Sequence, residues 1–430
     1  MDPERAKRKI LNTEIFSSAL LKNILTVSYN SIIIALVNLA FHLVMIRRLG
    51  PEDYGILETL LTINSIVLIA VSAVGFVITR FVSYYRTRQQ YDNMKFLANW
   101  AFIFFFFIGC ATFLINMIMS RMLADYLHIV DYSIIMIFGI IIWISFLMPI
   151  IDGILRGLQE FTYLGRYKIG ESLLRAVFAS VLVLIGFKVR SVLGAIIAAS
   201  VITLISAAYI LKRIYISKPH RIKLSEIYKF TIPVFITMIC LAIISNIDLV
   251  LVKHFFDDTT TGYYAAAGML AKIVFSIALG SSGVLFPKIV EYYSNGEEEE
   301  IIESLHNTIN IVLIPGFIIT IILALFPEAI TRFFFGTQYD IGWMLSIYVI
   351  AMFFLSVAVI FTIYNLAMKR YTYIPILVIA ACVIIYQISQ VHNTLYDILW
   401  TLFIVDAVLM LMFMVYNWKE IYLYFHKQRE

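Results

Sequence analysis

Long apolar stretches recur along almost the whole chain, and they constrain its fold more than any other feature. A transmembrane helix needs about 20 consecutive, mostly apolar residues. Twelve stretches of the 430-residue sequence meet this requirement. They are residues 23–46, 56–79, 97–119, 132–151, 169–187, 192–211, 231–252, 263–286, 306–326, 342–366, 373–391 and 394–417. The pattern predicts an all-α polytopic membrane protein with about twelve transmembrane helices.

The composition supports the same fold class. Hydrophobic residues make up 61% of the chain and charged residues 14%, whereas soluble domains carry roughly 25% charged residues. Most of the surface is therefore expected to face lipid. Cys110, Cys240 and Cys382 lie inside apolar runs without metal-binding spacing, so neither a disulfide framework nor a metal site is predicted.

The distribution of Lys and Arg predicts the orientation of the chain. With twelve spans, 23 of the 33 basic residues lie on the side of the N-terminus and 7 on the opposite side. The remaining three, Arg80, Arg175 and Lys272, lie within spans or at their edges. Because basic loops stay in the cytoplasm, we expect a multi-pass protein of the cell membrane with both termini cytoplasmic.

The second half of the sequence resembles the first. Residues 43–85 resemble residues 249–293, with Gly55 matching Gly262 at an offset of 207 and Arg80 matching Lys288 at an offset of 208. Residues 159–163 align with residues 369–373 at an offset of 210. The repeats indicate that the chain arose from a duplicated six-span unit.

The duplication predicts two lobes, residues 1–211 and 231–430, joined by a basic cytoplasmic linker, residues 212–230. Six spans separate equivalent points, so both lobes have the same orientation. They should be two six-helix bundles related by a pseudo-two-fold axis along the membrane normal, with a substrate path between them.

Three segments resemble a known family. "RRLGPEDYGIL" (47–57), "DGILRGLQEFTYLG" (152–165) and "NIDLVLVKHFFDDTTTGYYAAAGMLAK" (246–272) are similar to the polysaccharide-transporter family, which includes the O-antigen flippases. This family belongs to the multidrug/oligosaccharidyl-lipid/polysaccharide exporter superfamily. Many relatives have fourteen spans, and this chain has the pattern of twelve.

The resemblance implies two lobes in a V that open alternately to either side of the membrane. It also implies that the cargo is a polyprenyl-diphosphate oligosaccharide, exported to the outer leaflet for surface polysaccharide or glycoconjugate assembly. No cofactor is expected. The partners expected are membrane lipid and, for a monomeric transporter, a polysaccharide polymerase or glycosyltransferases.

Basic residues inside the spans are the first candidates for cargo binding. A charge at the centre of the bilayer costs about 2.5–3.5 kcal/mol even on the most lenient scale, so those that persist usually face a cavity or each other. Lys272 is expected either to contact the diphosphate or to pair with a buried acid such as Asp248. Arg175 follows Glu171 by four residues, so both lie on one helix face and either pair internally or bind cargo.

Three other predictions concern ion coupling, gating and one further candidate for cargo binding. Asp248 and Asp406 lie inside spans and form either a Na⁺ or H⁺ site that couples ion entry to export, or a local hydrogen bond or salt bridge. Arg47 and Arg48 flank an outer loop and either close a gate or cap the span. Arg80 is a weaker cargo candidate, because a basic side chain near the interface readily snorkels.

Two other function classes are compatible with a polytopic chain. A drug or metabolite antiporter of the same superfamily would share the fold but need a more acidic or aromatic cavity. A membrane glycosyltransferase or ligase would need catalytic acids or an Arg- or His-bearing outer loop. The outer loops here are short and contain no HExxH or DxD motif, so the chain is not expected to be an enzyme.

Overall fold

The computed structural model describes residues 3–211, 225–336, 341–420 and 422. Within these ranges the chain is helical apart from short connections. The α-helices are α1 (Pro3–Thr87), α2 (Tyr91–Tyr126), α3 (Tyr132–Ser145), α4 (Met148–Gly157), α5 (Phe161–Leu184), α6 (Val189–Leu211), α7 (Ser225–Phe255), α8 (Asp258–Asn295), α9 (Glu298–Leu325), α10 (Pro327–Phe335), α11 (Gly342–Ala367), α12 (Ile374–Gln390) and α13 (Leu395–Tyr416). A 3₁₀ turn, Tyr371–Tyr373, precedes α12.

Helix α1 contains two spans that meet at Gly50. This residue has φ 79° and ψ 171°, a backbone conformation that glycine adopts at little cost and other residues avoid. Pro51 follows, and its missing N–H is tolerated at the first turn of a new helix. We call the segments before and after Gly50 α1a and α1b.

The span count agrees with the sequence. In the described part of the chain, ten helical stretches are long and apolar enough to cross a membrane. One of them, Ile32–Arg86, has 55 residues and would be about 80 Å long as a straight helix, so it makes two crossings. Helix α5 is not among the ten, because Lys168, Glu171 and Arg175 interrupt its apolar sequence. When α5 is added to these ten stretches, one of which crosses twice, the number of crossings is twelve.

Three boundaries differ from the sequence prediction. The fourth span is interrupted near Phe146, where α3 ends and α4 begins. Helix α8 continues to Asn295 and α9 starts at Glu298, so the residues between the predicted spans 263–286 and 306–326 are mostly helical, with a turn at Gly296. The short helix α10 was not predicted.

Polar caps set several helix starts in the connections. The Asp257 carboxylate accepts hydrogen bonds from the Thr260 backbone N–H at 3.1 Å and from the Thr260 hydroxyl. The hydroxyl bond lowers the pKa of Asp257. Thr394 and Asp397 form a capping box at the start of α13, which satisfies backbone N–H groups that the helix leaves unpaired.

The helices form two bundles that meet along α1. On one side α1 packs against α4 and α5, and on the other it packs against α7 and α8. In the second bundle α11 is central, packing against α8, α9 and α13. The lobe boundaries at 211 and 231 stay a prediction, and residues 212–224 of the predicted linker lie outside the described residues.

Glycines allow close helix approach inside the first bundle. A Cβ at Gly75 would lie 2.9 Å from the Pro149 carbonyl oxygen, and one at Gly153 would lie 2.6 Å from the Gly75 carbonyl oxygen. Small residues at helix contacts are the usual means of packing in membranes, where burial of apolar surface provides no driving force. This contact brings α4 against α1b and positions the polar residues described below.

Candidate functional site

The second bundle contains a polar cluster around Asp248 of α7, which is 1% exposed. Tyr264 of α8 donates a hydrogen bond to Asp248 Oδ2 at 2.9 Å, and the Tyr348 hydroxyl of α11 donates to the same oxygen. Lys272 Nζ lies 3.6 Å from Asp248 Oδ1 and 3.4 Å from Asn246 Oδ1. The side chain of Lys272 is 21% exposed, so this ammonium group both pairs with the acid and remains accessible.

Asp406 of α13 lies close enough to Asp248 for their charges to interact. The Asp406 residue is fully buried, and neither carboxylate oxygen has a hydrogen-bond partner among the described residues. Burying an ionised carboxylate without a partner is very unfavourable. The two acids predicted either as an ion site or as partners in a local hydrogen bond or salt bridge are brought together, and Asp248 makes local bonds of both kinds.

The first bundle contains a second cluster, centred on Arg175 of α5. Its guanidinium donates to Asn38 Oδ1 of α1a at 2.5 Å and lies 5.3 Å from the ring centroid of Phe41. Glu171 of α5 and Glu58 of α1b are the acids within electrostatic reach. The predicted Glu171–Arg175 proximity is present, and Arg175 also contacts α1a.

The same cluster extends along α5 in both directions. Toward the predicted inner side, Lys168 Nζ forms an ion pair with Asp152 Oδ2 of α4 at 2.6 Å. Toward the predicted outer side, His42 Nδ1 lies 3.4 Å from Glu58 Oε2 and 3.3 Å from the Tyr54 hydroxyl. Charged groups from α1, α4 and α5 thus meet inside the first bundle.

Three atoms in this cluster are buried without a hydrogen-bond partner in the portion of the chain that the structure covers: Glu58 Oε2, Asp152 Oδ1 and Arg175 Nε. Sequence reasoning missed Asn38, His42, Glu58 and Asp152. Glu58 lies only two residues inside the predicted second span, and Asp152 one residue beyond the predicted fourth. Glu58 is therefore visible as an acid within a span, whereas Asp152 becomes visible only when the fourth span is extended by one turn.

Contacts between the bundles close the side predicted to face outward. Arg47 of α1a donates to the carbonyl oxygens of Phe334 and Phe333, at 2.9 Å and 3.0 Å, at the end of α10. A Cβ at Gly262 would lie 1.9 Å from the Pro51 carbonyl oxygen, and one at Gly55 would lie 2.7 Å from the carbonyl oxygen of Asp258. The repeat-related glycines therefore pack against the opposite lobe.

A ring contact adds to this outer seal. His254 of α7 stacks on Tyr126 of α2 with centroids 3.9 Å apart, and its Nδ1 lies 2.7 Å from the Tyr126 carbonyl oxygen. We use "outer seal" for this contact together with the Arg47, Gly55 and Gly262 contacts. Arg48 is exposed on α1a and Arg80 is exposed on α1b near Tyr371.

This fold, with two charged clusters inside paired helical bundles, defines a polytopic membrane transporter. Solved structures share the fold. An inward-facing multidrug resistance MATE family transporter of the MOP superfamily aligns with a TM-score of 0.73 at 13% identity, over 93% of this chain and 98% of that chain. The Vibrio cholerae MATE transporter VcmN, solved as a mutant, aligns with a TM-score of 0.72 at 12% identity, over 94% and 97%.

The sequence identifies the family within this class. The profile of the family described as "Polysaccharide biosynthesis protein" matches residues 20–293, which is more than half of the chain. The chain belongs to this family, whose members are transporters and not enzymes. The curated proteins compared by sequence include no match to it.

Proposed function

We propose that this transporter is a flippase that moves a polyprenyl-diphosphate-linked oligosaccharide from the cytoplasmic to the outer leaflet of the cell membrane. The single observation that carries the proposal is the accessible Lys272 ammonium group in the middle of α8, 3.6 Å from Asp248. A diphosphate cannot enter hydrocarbon unaided, and a lysine is an effective point-charge partner for phosphate oxygens. The prenyl tail would remain in lipid while the headgroup passes between the lobes.

Ion coupling is the second part of the proposal. Asp248 and Asp406 would bind a proton or Na⁺ entering from outside, and that cation would supply the missing partner of Asp406. Asp248 is held by two tyrosine hydroxyls, so its position is fixed while Lys272 exchanges between the acid and the cargo. Entry of the cation would then bias the lobes toward the cargo-accepting state.

Alternating access would proceed by rocking of the two bundles. The outer seal would separate when the inner side closes, because all of its contacts lie between the lobes. Arg47 makes hydrogen bonds to the end of α10 that can break without unfolding either bundle. We place the termini in the cytoplasm and expect a monomer that associates with a polysaccharide polymerase or glycosyltransferases.

A headgroup-protection assay in liposomes tests the proposal. Lipid-linked oligosaccharide in the outer leaflet is oxidised by added periodate, and cargo flipped by the protein becomes reactive. We expect wild-type protein to flip the cargo, Lys272→Ala to reduce the rate by tenfold or more, and Thr203→Val, a buried hydroxyl on α6 bonded only to its own helix, to have no effect. Wild-type protein that leaves the cargo protected would refute the flippase assignment.

Separate Na⁺ and pH gradients test whether flipping is coupled to ion entry. Imposing a Na⁺ gradient without a pH gradient, and the reverse, should show that one of them accelerates flipping and that Asp406→Asn removes the acceleration. Flipping that is indifferent to both gradients would refute ion coupling while leaving the flippase assignment intact.

A drug or metabolite antiporter is the second candidate. Its support is the three carboxylates of the first bundle, Glu58, Asp152 and Glu171, which outnumber the two cations Lys168 and Arg175 and would suit an organic cation. Counterflow of a labelled organic cation in the same liposomes, together with no flipping of lipid-linked sugar, would favour this alternative.

A further inference from the structure

The cluster of the first bundle has a charge balance unsuited to a diphosphate. It combines Glu58, Asp152 and Glu171 with Lys168 and Arg175, so the carboxylates exceed the permanent cations by one. The acids face inward from three helices and lie within the electrostatic range of Arg175 or of Lys168. A diphosphate brought here would meet acids on both sides of each cation, and like charges at such distances repel.

The unpaired atoms of the cluster indicate what kind of group would fit. Glu58 Oε2 and Asp152 Oδ1 need hydrogen-bond donors, whereas Arg175 Nε needs an acceptor. Phosphate oxygens only accept, so a fully ionised diphosphate would satisfy Arg175 Nε and leave Glu58 Oε2 and Asp152 Oδ1 without a donor. A hydroxyl group donates and accepts, and a chain of sugars presents many of them in fixed positions.

The acidic side chains of the cluster are also partly exposed. The side chains of Glu58 and Asp152 are 17% and 14% exposed, although both pack among α1, α4 and α5. A charged group exposed to hydrocarbon would cost several kcal/mol, so these side chains face a hydrated gap. The ring of Phe41, against which Arg175 packs, adds an apolar surface beside the polar groups.

We propose that the residues around Arg175, Glu58 and Asp152 form a sugar-binding subsite, while Lys272 of the second bundle takes the diphosphate. The inference rests on the flippase function proposed above and divides the cargo between the lobes. Asn38, which accepts from Arg175, positions the guanidinium. The subsite selects cargo that carries an oligosaccharide over bare polyprenyl diphosphate.

Binding of two lipids to the purified full-length protein in nanodiscs tests the division. One probe is the lipid-linked oligosaccharide extracted from the source cells, and the other is polyprenyl diphosphate without sugar. We expect Glu58→Ala to weaken binding of the sugar-bearing lipid roughly 10- to 100-fold, as for a lost hydrogen bond to a charged group. Binding of the sugar-free lipid should be unchanged, and Glu58→Gln should lie between Glu58→Ala and wild type.

Lys272→Ala is the matched control in the other lobe. It should weaken both lipids by the same factor, because both carry the diphosphate. Asp152→Asn, on a different helix from Glu58, repeats the measurement if Glu58→Ala lowers the thermal stability of the protein.

The outcomes separate the subsite from the flippase assignment. If the first-bundle variants weaken both lipids equally, or weaken neither, the sugar subsite is wrong and the flippase proposal stands. If wild-type protein binds neither lipid, the flippase proposal fails and the subsite fails with it.

Discussion

The two lobes differ in the polar residues that join their first two helices. In each, a polar pair joins the first and second helices of the lobe, and its members are 16 residues apart: His42–Glu58 in the first and Asp248–Tyr264 in the second. In the second lobe, Asp248 Oδ2 receives two hydroxyl hydrogen bonds, whereas Asp248 Oδ1 has no hydrogen-bond partner among the described residues and faces Lys272 at 3.6 Å. In the first, Glu58 Oε2 has no hydrogen-bond partner in the residues described.

The different bonding of the two acids suits two different roles: Asp248 holds a side chain in position, whereas Glu58 is available to bind a ligand. Asp248 is held through one oxygen by two hydroxyl groups from different helices, and such hydrogen bonds rigidify a buried side chain, which suits an anchor for Lys272. A network with unpaired atoms is costly unless another group completes it. Duplication would have supplied the shared scaffold, and substitution at equivalent points would have given the lobes separate tasks.

The largest expected effect concerns the repeat-related glycines. Gly262→Val places a side chain where a Cβ would already lie 1.9 Å from the Pro51 carbonyl oxygen, so the outer seal cannot close. Flipping should fall by about 100-fold, since overpacking costs up to about 3 kcal/mol. Gly55→Val should be milder, because the nearest atom is 2.7 Å from its Cβ position.

Gly194→Ala on α6 is the control for the glycine variants. Nothing lies within 4 Å of a Cβ at Gly194, so its flipping rate should equal that of wild type. A Gly262→Val protein with full flipping activity would show that the outer seal does not need this contact.

The second prediction compares the two pairs by stability. Asp248→Ala leaves two tyrosine hydroxyls and Lys272 without their acceptor, which should cost about 3 kcal/mol. Glu58→Ala removes a less completely bonded acid and should cost about 1 kcal/mol. Thermal unfolding at a fixed scan rate measures both, and equal losses would contradict the contrast between the lobes.

The third prediction concerns Asp406, whose carboxylate is buried without a hydrogen-bond partner in the part of the chain that the structure describes. Asp406→Leu replaces it with an apolar side chain of similar size and should raise stability by about 1–2 kcal/mol. The same variant should lose dependence on the ion gradient. A melting temperature below that of wild type would indicate that Asp406 has a partner in the resting protein.

The smallest expected effect lies at a helix start. Hydrogen bonds from Thr260 lower the pKa of Asp257, so its ionised form stabilises the folded state. This contribution is fully present above the unfolded pKa of about 3.9 and is lost as the pH falls through the lower folded value. Asp257→Ala should cost about 1 kcal/mol at pH 7 and less at pH 3. A cost that is independent of pH would refute the contribution of the charge.

The sequence predicts the spans well because each crossing depends on local composition. All twelve apolar stretches correspond to helical crossings, and the glycine after Arg47–Arg48 divides the first two. The break near Phe146 and the added helix α10 escape a hydropathy window, since neither changes the mean apolarity. The cluster of the first bundle depends on contacts among α1, α4 and α5, and separations of up to 137 residues cannot be inferred from spacing.

The polar character of α5 has a consequence for how the protein enters the membrane during synthesis. A charge at the centre of a span opposes insertion by about 2.5–3.5 kcal/mol, and α5 carries Glu171 and Arg175 within its predicted span and Lys168 just before it. Helix α5 would therefore leave the translocon only together with helices whose charges complement its own. Asp152 of α4 and Glu58 of α1b are made earlier and would have to remain beside the translocon until α5 emerges, so the cluster would also contribute to assembly of the first bundle.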